Sequence, residues 1–346
     1  MELGMTSVPF CVVEKPYMVW GYDIRADNAH FLERVDADLY YRTAHNIIAG
    51  AGAGELEGAE AELESDDDQD RKDVSSLSRL LWHHGMETLV MMLGALIQAP
   101  SAVHAYFLKC KTEDAAAIAG HLLREQRPKY NRLNDVPFTV VNLLNGIHLC
   151  AGWADRDVIV ERFARAFRGM LYEYASEQHR WEYNSIKHGL RASHGRFALA
   201  VGIQEAPGIP APPEAMRMVG FSQDASFFDV ARPLKNATKQ ASKINFTTEK
   251  VSVSWSLEKV LCELQLLSIL LHNTVSALRI AAGAKPGTVT FNRIVEADPF
   301  WDAYFSPHAG NVPNASMAVE IDAKQVKVAS EKDVFGSYSK MKPTAS

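Results

Sequence analysis

The sequence predicts a mainly α protein: a helical bundle with a small inserted antiparallel β-sheet, an α+β arrangement. Three observations carry this. Apolar residues recur at helical spacing through most of the first 190 positions. Between residues 191 and 255 the period shortens to two and is broken by Pro, Gly and Asn/Asp. From residue 256 a long apolar run returns to helical spacing. The expected organisation is an N-terminal arm (1–25), a bundle (26–190) with an acidic flexible loop (51–75), and a β-rich segment (191–255). A long buried helix (256–283) completes the bundle, and a C-terminal strand and polar tail (284–346) follow.

The chain has 346 residues, 47% of them hydrophobic, enough for a sizeable core. Nine acids and no base fall between Glu55 and Asp70, and removing them turns the formal charge of −6 into +3. The folded body is therefore near neutral, and its charge alone neither excludes nor requires nucleic acid. Four cysteines (Cys11, Cys110, Cys150, Cys262) stand far apart among apolar neighbours, as buried thiols of a reducing compartment would. No leader pattern opens the chain. The most apolar runs, 86–99 and 264–271, are shorter than the roughly 20 residues a bilayer span needs. A cytoplasmic protein without membrane contact is expected.

In chain order, residues 1–24 show no clear period and read as an extended arm with one short strand. Phe31, Val35, Leu39, Ala44, Ile47 and Ile48 predict one amphipathic helix over 26–49, stopped by alternating glycines at 50–54. Ser75 or Ser76 caps a central helix running to Ala99, where Pro100 ends it. Further helices are expected at 101–109, 113–125 (capped by Thr112), 135–150 and 155–178. Strands are expected at 197–203, 217–221, 226–230, 251–255 and 288–295, with a Pro-rich loop at 207–213. Ser256 opens the longest apolar helix, to about residue 282. The core should include Leu89, Leu93, Phe167, Leu171, Leu264, Leu267 and Leu271, and the last twenty residues should fray.

The densest chemistry lies at 180–196, the junction between helical and alternating patterns. It holds Arg180, Lys187, His188, Arg191 and Arg196 with Trp181, Glu182, Tyr183 and Asn184. With Arg162, Arg165 and Arg168, which recur every three residues on the preceding helix, these cations can form a positive strip. Trp181 and Tyr183 would supply stacking faces for unpaired bases. Such a strip points to RNA. If the RNA is cleaved, His188 would act as general acid or base, Lys187 and Arg191 would stabilise phosphorane charge, and Asn184 would orient the substrate.

The helical first half, with Tyr183-Asn-Ser-Ile-Lys-His-Gly189 ending one helix, resembles HEPN-type helical proteins over residues 25–195. Many of those cut RNA in bacterial toxin and defence systems through an Arg and a His separated by four to six residues. Arg180 and His188 have seven residues between them. The pairs at family spacing are Arg25 with His30 and Arg79 with His84; the resemblance makes Arg79 and His84 the second catalytic candidate.

Two other functions fit the sequence. His30-x-x-Glu33, His84-x-x-Glu87 and His179-x-x-Glu182 each place an imidazole and a carboxylate on one helix face. A metal-dependent helical-bundle enzyme would use His84, Glu87, His179 and Glu182, with His83 or His188 completing the shell. Alternatively, the apolar face at 257–278, the Met-rich run at 86–93 and the rings of Phe300, Trp301, Tyr304 and Phe305 would serve a non-enzymatic scaffold that forms a homodimer. No Gly-x-Ser-x-Gly elbow and no phosphate-cradling glycine loop occurs, so no organic cofactor or bound nucleotide is expected.

Overall fold

The computed structural model describes residues 5–50, 69–132, 137–188, 191–203, 206, 209, 211–294, 297–305 and 314–338. The chain divides into two compact units, Met1–Arg180 with Ser256–Ala309, and Trp181–Trp255 with Gly310–Ser346. It is mainly helical, with small antiparallel sheets.

In the first unit, the N-terminal segment is a hairpin rather than an arm with one strand: β1 (Thr6–Val12) pairs antiparallel with β2 (Lys15–Gly21). Its turn is fastened from a distance. Val13 N–H donates to Gln98 Oε1, and Gln98 Nε2 donates back to the Val13 carbonyl, each at 2.8 Å. The expected helix 26–49 is two helices, α1 (Ile24–Glu33) and α2 (Leu39–Gly50). The Asp36 carboxylate accepts from the Asp38 amide at 3.2 Å and pairs with Arg42, holding a local turn that competes with helix continuation.

The central helix α3 (Gln69–Gln98) starts earlier than expected, six residues before Ser75; the acidic segment up to residue 68 lies outside the described residues. α4 (Val103–Lys109) and α5 (Thr112–Leu123) follow. The cap of α5 is Lys111, not Thr112, and Lys111 N–H donates to Asp114 Oδ2 at 3.1 Å. α6 (Val140–Ile147) is shorter than expected and is capped by Thr139, whose hydroxyl accepts from Asn142 N–H at 3.1 Å. α7 (Arg156–Ala175) ends where Ser176 turns extended, and α8 (Glu177–Lys187) begins anew with the Ser176 hydroxyl accepting from His179 N–H.

α9 (Leu257–Ala281) is capped by Ser256 as its sequence predicts. α3 and α9 are each long and apolar enough to cross a membrane by length and composition, longer than the apolar runs considered alone. Most of each is buried in the protein, as in a core helix. All seven core leucines and phenylalanine named from the sequence are buried. The strand expected at 288–295 is absent from its described part. Its backbone is held by α9 side chains instead: Ser276 Oγ donates to the Thr290 carbonyl (2.6 Å), and Asn273 exchanges two hydrogen bonds with the backbone of Asn292 (2.7 and 2.8 Å). α10 (Ala297–Phe305) then stacks its own rings at i, i+4 spacing, Phe300 on Tyr304 and Trp301 on Phe305.

The second unit carries a four-stranded antiparallel sheet in the order β3 (Ala192–Val201), β4 (Arg217–Pro233), β5 (Phe246–Trp255) and β6 (Ala315–Ala318). The two strands expected at 217–221 and 226–230 are one. Alternation along β5 buries Val251, Val253 and Trp255. β3 meets β4 with irregularities between Gly195 and Phe197 and between Leu199 and Ala200, so Arg196 sits in a bulge. A short helix, α11 (Glu331–Tyr338), stands within the tail expected to fray; residues 339–346 and part of the Pro-rich loop lie outside the described residues.

One buried amide ties α1 to α4. Asn28 Nδ2 donates to the Pro100 carbonyl (3.2 Å), and Val103 N–H donates to Asn28 Oδ1 (2.7 Å), which satisfies an orphan donor at the start of α4. Asn28→Ala should lower stability by about 2 kcal/mol, measured by urea denaturation, because it leaves both backbone groups without their partner.

Candidate functional site

The polar centre of the first unit is a set of charges within its core. α3 carries Arg79, Trp82 and His83 on adjacent turns, and Arg79 is fully buried. One guanidinium nitrogen, Nη2, lies 2.9 Å from Glu173 Oε1 of α7 and 2.6 Å from His179 Nδ1 of α8. The guanidinium also lies over the Trp82 ring, 4.5 Å from its centroid. Beside it, Trp82 Nε1–H donates to Glu263 Oε2 of α9 (2.7 Å), and the Tyr304 hydroxyl donates to Glu263 Oε1 (3.1 Å). Lys259, one turn before Glu263, completes the set at 3.6 Å from Glu263 and 3.8 Å from Glu173.

The two carboxylates titrate in opposite directions. Burial raises Glu263, the Glu173 charge adds to it, and the carboxyl is pushed up to about 7. Burial would also raise Glu173, but His179, Arg79 and Lys259 overcome it and hold that carboxyl down at about 2. Such divergence marks either a catalytic pair or a structural ion network. The cavities beside Leu96 and beside Tyr17 are both lined by other residues. They lie inside a helical core, so the structural role fits them better.

Some of the side chains proposed as metal ligands lie close together. His83 and His179 offer ring nitrogens within 4.8 Å of each other, and Glu182, one turn along α8, brings a carboxylate oxygen within the same distance of His179. The partner of His179 is thus His83, where the sequence suggested His84. The donor chemistry does not fit an ion. A guanidinium has no lone pair, so in the neutral form of His179 Nδ1 accepts from Arg79 and Nε2 carries the hydrogen toward Glu173 at 3.5 Å, while the protonated form has no lone pair to offer an ion. Glu182 accepts the Ser226 hydroxyl at 2.6 Å. A divalent cation here would have to displace Arg79 or lie against its charge in a low-dielectric interior. Glu87 lies elsewhere on α3, near Tyr174, whose ionisation is disfavoured first by burial and then by this carboxylate. His30 and Glu33 are both exposed on α1.

The junction residues separate into inward and outward groups. Tyr183 is buried and Trp181 is half-buried beneath the Arg232 guanidinium, 4.1 Å from its ring centroid, so neither offers the free stacking face expected of it. Arg180, Asn184, Lys187, His188, Arg191 and Arg196 are all exposed and make no side-chain hydrogen bond or ion pair among the described residues. Asn184, Lys187 and His188 share one face of the last turn of α8, the i, i+3, i+4 arrangement, and His188 N–H still donates to the Asn184 carbonyl at 3.3 Å. The α7 arginines are engaged at home. Arg162 pairs with Asp298 (2.7 Å), Arg168 pairs with Glu125 (2.6 Å), and Arg165 covers the Phe305 ring at 4.1 Å.

Of the pair Arg79 and His84, Arg79 is fully buried in the core and engaged with Glu173, and His84 is half-buried. Arg25 is exposed with His30 on α1. Stretches that would have formed a dimer interface are largely core: Met86, Leu89, Met92, Trp301, Tyr304 and all α9 leucines but Leu261 are buried. Of the cysteines, Cys150 is exposed and the other three are half-buried. Sequence reasoning missed Glu173, Lys259, Glu263, Trp82 and Tyr304 as one group. The available signal was Glu263, an acid on the apolar face of the most apolar helix.

Replacing Arg79 by Met leaves the half-buried Glu173 without its guanidinium, and a loss of about 3 kcal/mol is expected in chemical denaturation. The pH dependence has two limbs. The folded pKa of Glu173 lies below the unfolded range, so its stabilisation is complete above about pH 4.5 and is lost as the pH falls toward about 2. The folded pKa of Glu263 lies above it, so its contribution is complete below about pH 4.5 and is lost as the pH rises through about 7. Glu263→Gln should therefore flatten the decline in stability between about pH 5 and 8 and spare the acid limb. EDTA should leave the unfolding midpoint unchanged.

No family model, curated protein or solved structure matches this chain, so its function is inferred from the geometry above.

Proposed function

We propose that the protein binds single-stranded RNA through the outward face of the α8–β3 junction, in the manner the HEPN resemblance implies for a toxin or defence protein. One observation carries this. Between Arg180 and Arg196 the only acid, Glu182, is buried and bonded to Ser226, while Arg180, Lys187, Arg191 and Arg196 all stay at the surface. An exposed run of cations with its one counter-charge withdrawn favours a polyanion, whose bound counterions are released on contact. With Tyr183 buried and Trp181 covered, recognition falls to phosphates rather than to stacked bases, which implies little sequence preference.

His188 is the group for proton transfer if the RNA is cut. It stands on the same turn as Lys187, whose charge would lie beside a developing phosphorane, and Asn184, which would orient the ribose or phosphate. Arg162, Arg165 and Arg168 are left out, because each already has a partner in the first unit.

Fluorescence anisotropy of a labelled 20-nucleotide RNA over a salt series tests the binding. Four phosphate contacts give a log–log slope of about −3 for single strands, and changing Lys187, Arg191 and Arg196 together to Ala should reduce it to about −1. His188→Ala should abolish any cleavage of that RNA and leave the affinity within about twofold. Binding that ignores salt, or a triple variant that binds as the wild type does, would remove the junction from consideration.

A further inference from the structure

A cavity of about 470 Å³ opens between α6, the C-terminal part of α9 and Leu96 of α3. It falls within the roughly 300–1,000 Å³ of small-molecule sites. Its wall is apolar: Leu96, Phe138, Leu143, Ile147 and Ile280 line it. Of the polar side chains on the wall, two are already occupied. The Thr139 hydroxyl caps α6 and Asn142 Nδ2 donates to the Pro137 carbonyl at 2.9 Å. Arg132 differs from them. Its backbone N–H is fixed to the Ile97 carbonyl at 2.8 Å, yet its exposed guanidinium has no ion pair or side-chain hydrogen bond among the described residues.

Gly146 supports the same conclusion from the helix side. It lies inside α6, where glycine costs about 1 kcal/mol relative to alanine. No close packing demands it, because a Cβ there would have no atom within 4 Å. The glycine leaves room on the cavity wall that none of the described residues fills.

We propose that this cavity is a binding site for a monocarboxylate with an apolar body, such as a medium-chain fatty acid. The chain would lie along α6 past Gly146, and the carboxylate would pair with Arg132 at the mouth. An apolar wall with one unpaired cation among the described residues that line it selects that combination: a neutral chain forgoes the charged pair and a cationic one is repelled.

Titration calorimetry of the full chain with decanoate, decanol and decylamine, each below its aggregation limit, tests this. Decanoate should bind saturably at one site, at least about tenfold more tightly than decanol, a difference typical of one charge-assisted hydrogen bond. Arg132→Met should remove the preference for decanoate over decanol. Gly146→Leu fills the cavity from α6 and Ala277→Met fills it from α9, and either should abolish binding of both while the melting temperature stays at or above that of the wild type. Equal affinity for decanoate and decanol, tighter binding of decylamine, no saturable binding of decanoate, or unaltered binding by both folded cavity-filling variants would each overturn the assignment.

Discussion

The contact on which the helical unit depends is that of the Arg79 guanidinium with Glu173 and His179. A fully buried cation is tolerable only when its charge is answered, and here one nitrogen alone serves a carboxylate on α7 and an imidazole on α8. The Trp82 ring beneath it turns toward Glu263 on α9, and Tyr304 reaches the same carboxylate from α10. Five helices are thereby fixed in rotation as well as in position. Apolar packing tolerates a small turn of a helix about its axis, whereas hydrogen bonds of this length do not.

That arrangement leaves α8 with two functions on one short helix. Ser176 starts it and His179 anchors it, so the rotation of the helix is set from its first turn. Glu182 and Tyr183 then fall on the buried side, and Arg180, Asn184, Lys187 and His188 fall outside. A helix rotated by one residue would bury Lys187 or His188 and expose Glu182, erasing the separation of charge that favours a polyanion. The helix exit is also the point where the chain passes to the sheet, so the exposed cations continue into Arg191 and, through the bulge of β3, Arg196.

At the other end of the helical unit, α9 acts through its side chains on neighbouring backbone. Asn273 and Ser276 hold the segment around Thr290 and Asn292 against the helix, and Asn273 Nδ2 also lies 2.9 Å from His148 Nε2 at the end of α6. Burial holds His148 in its neutral form, with a pKa lowered to about 4, as a polar link inside the core should be. The cavity lies beside this link. Its walls are mostly helical, and the unpaired charge among the described residues that line it, Arg132, sits in a segment pinned to the end of α3.

The helical class, the extent of α9 with its Ser256 cap, the core leucines and the change of period at the β-rich segment were all determined by the sequence itself. Each depends on spacing or on a residue within four positions, and such signals are local. The basic content of the junction was equally legible. What the tertiary structure decided came from partners far away in the chain. Gln98 fastens the turn of the β1–β2 hairpin, and α9 side chains hold the backbone at Thr290 and Asn292 where a strand was expected. Asp36 splits the first helix by a bond that simple periodicity cannot register. Above all, composition could not say which charges turn inward. Arg79 and Glu173 meet across nearly a hundred positions, and Arg162 and Asp298 across more, so the sequence offered one continuous strip of cations where the folded chain neutralises some and leaves others free. Electrostatic pairing depends on distance in space, and only the packing of the helices supplies that distance.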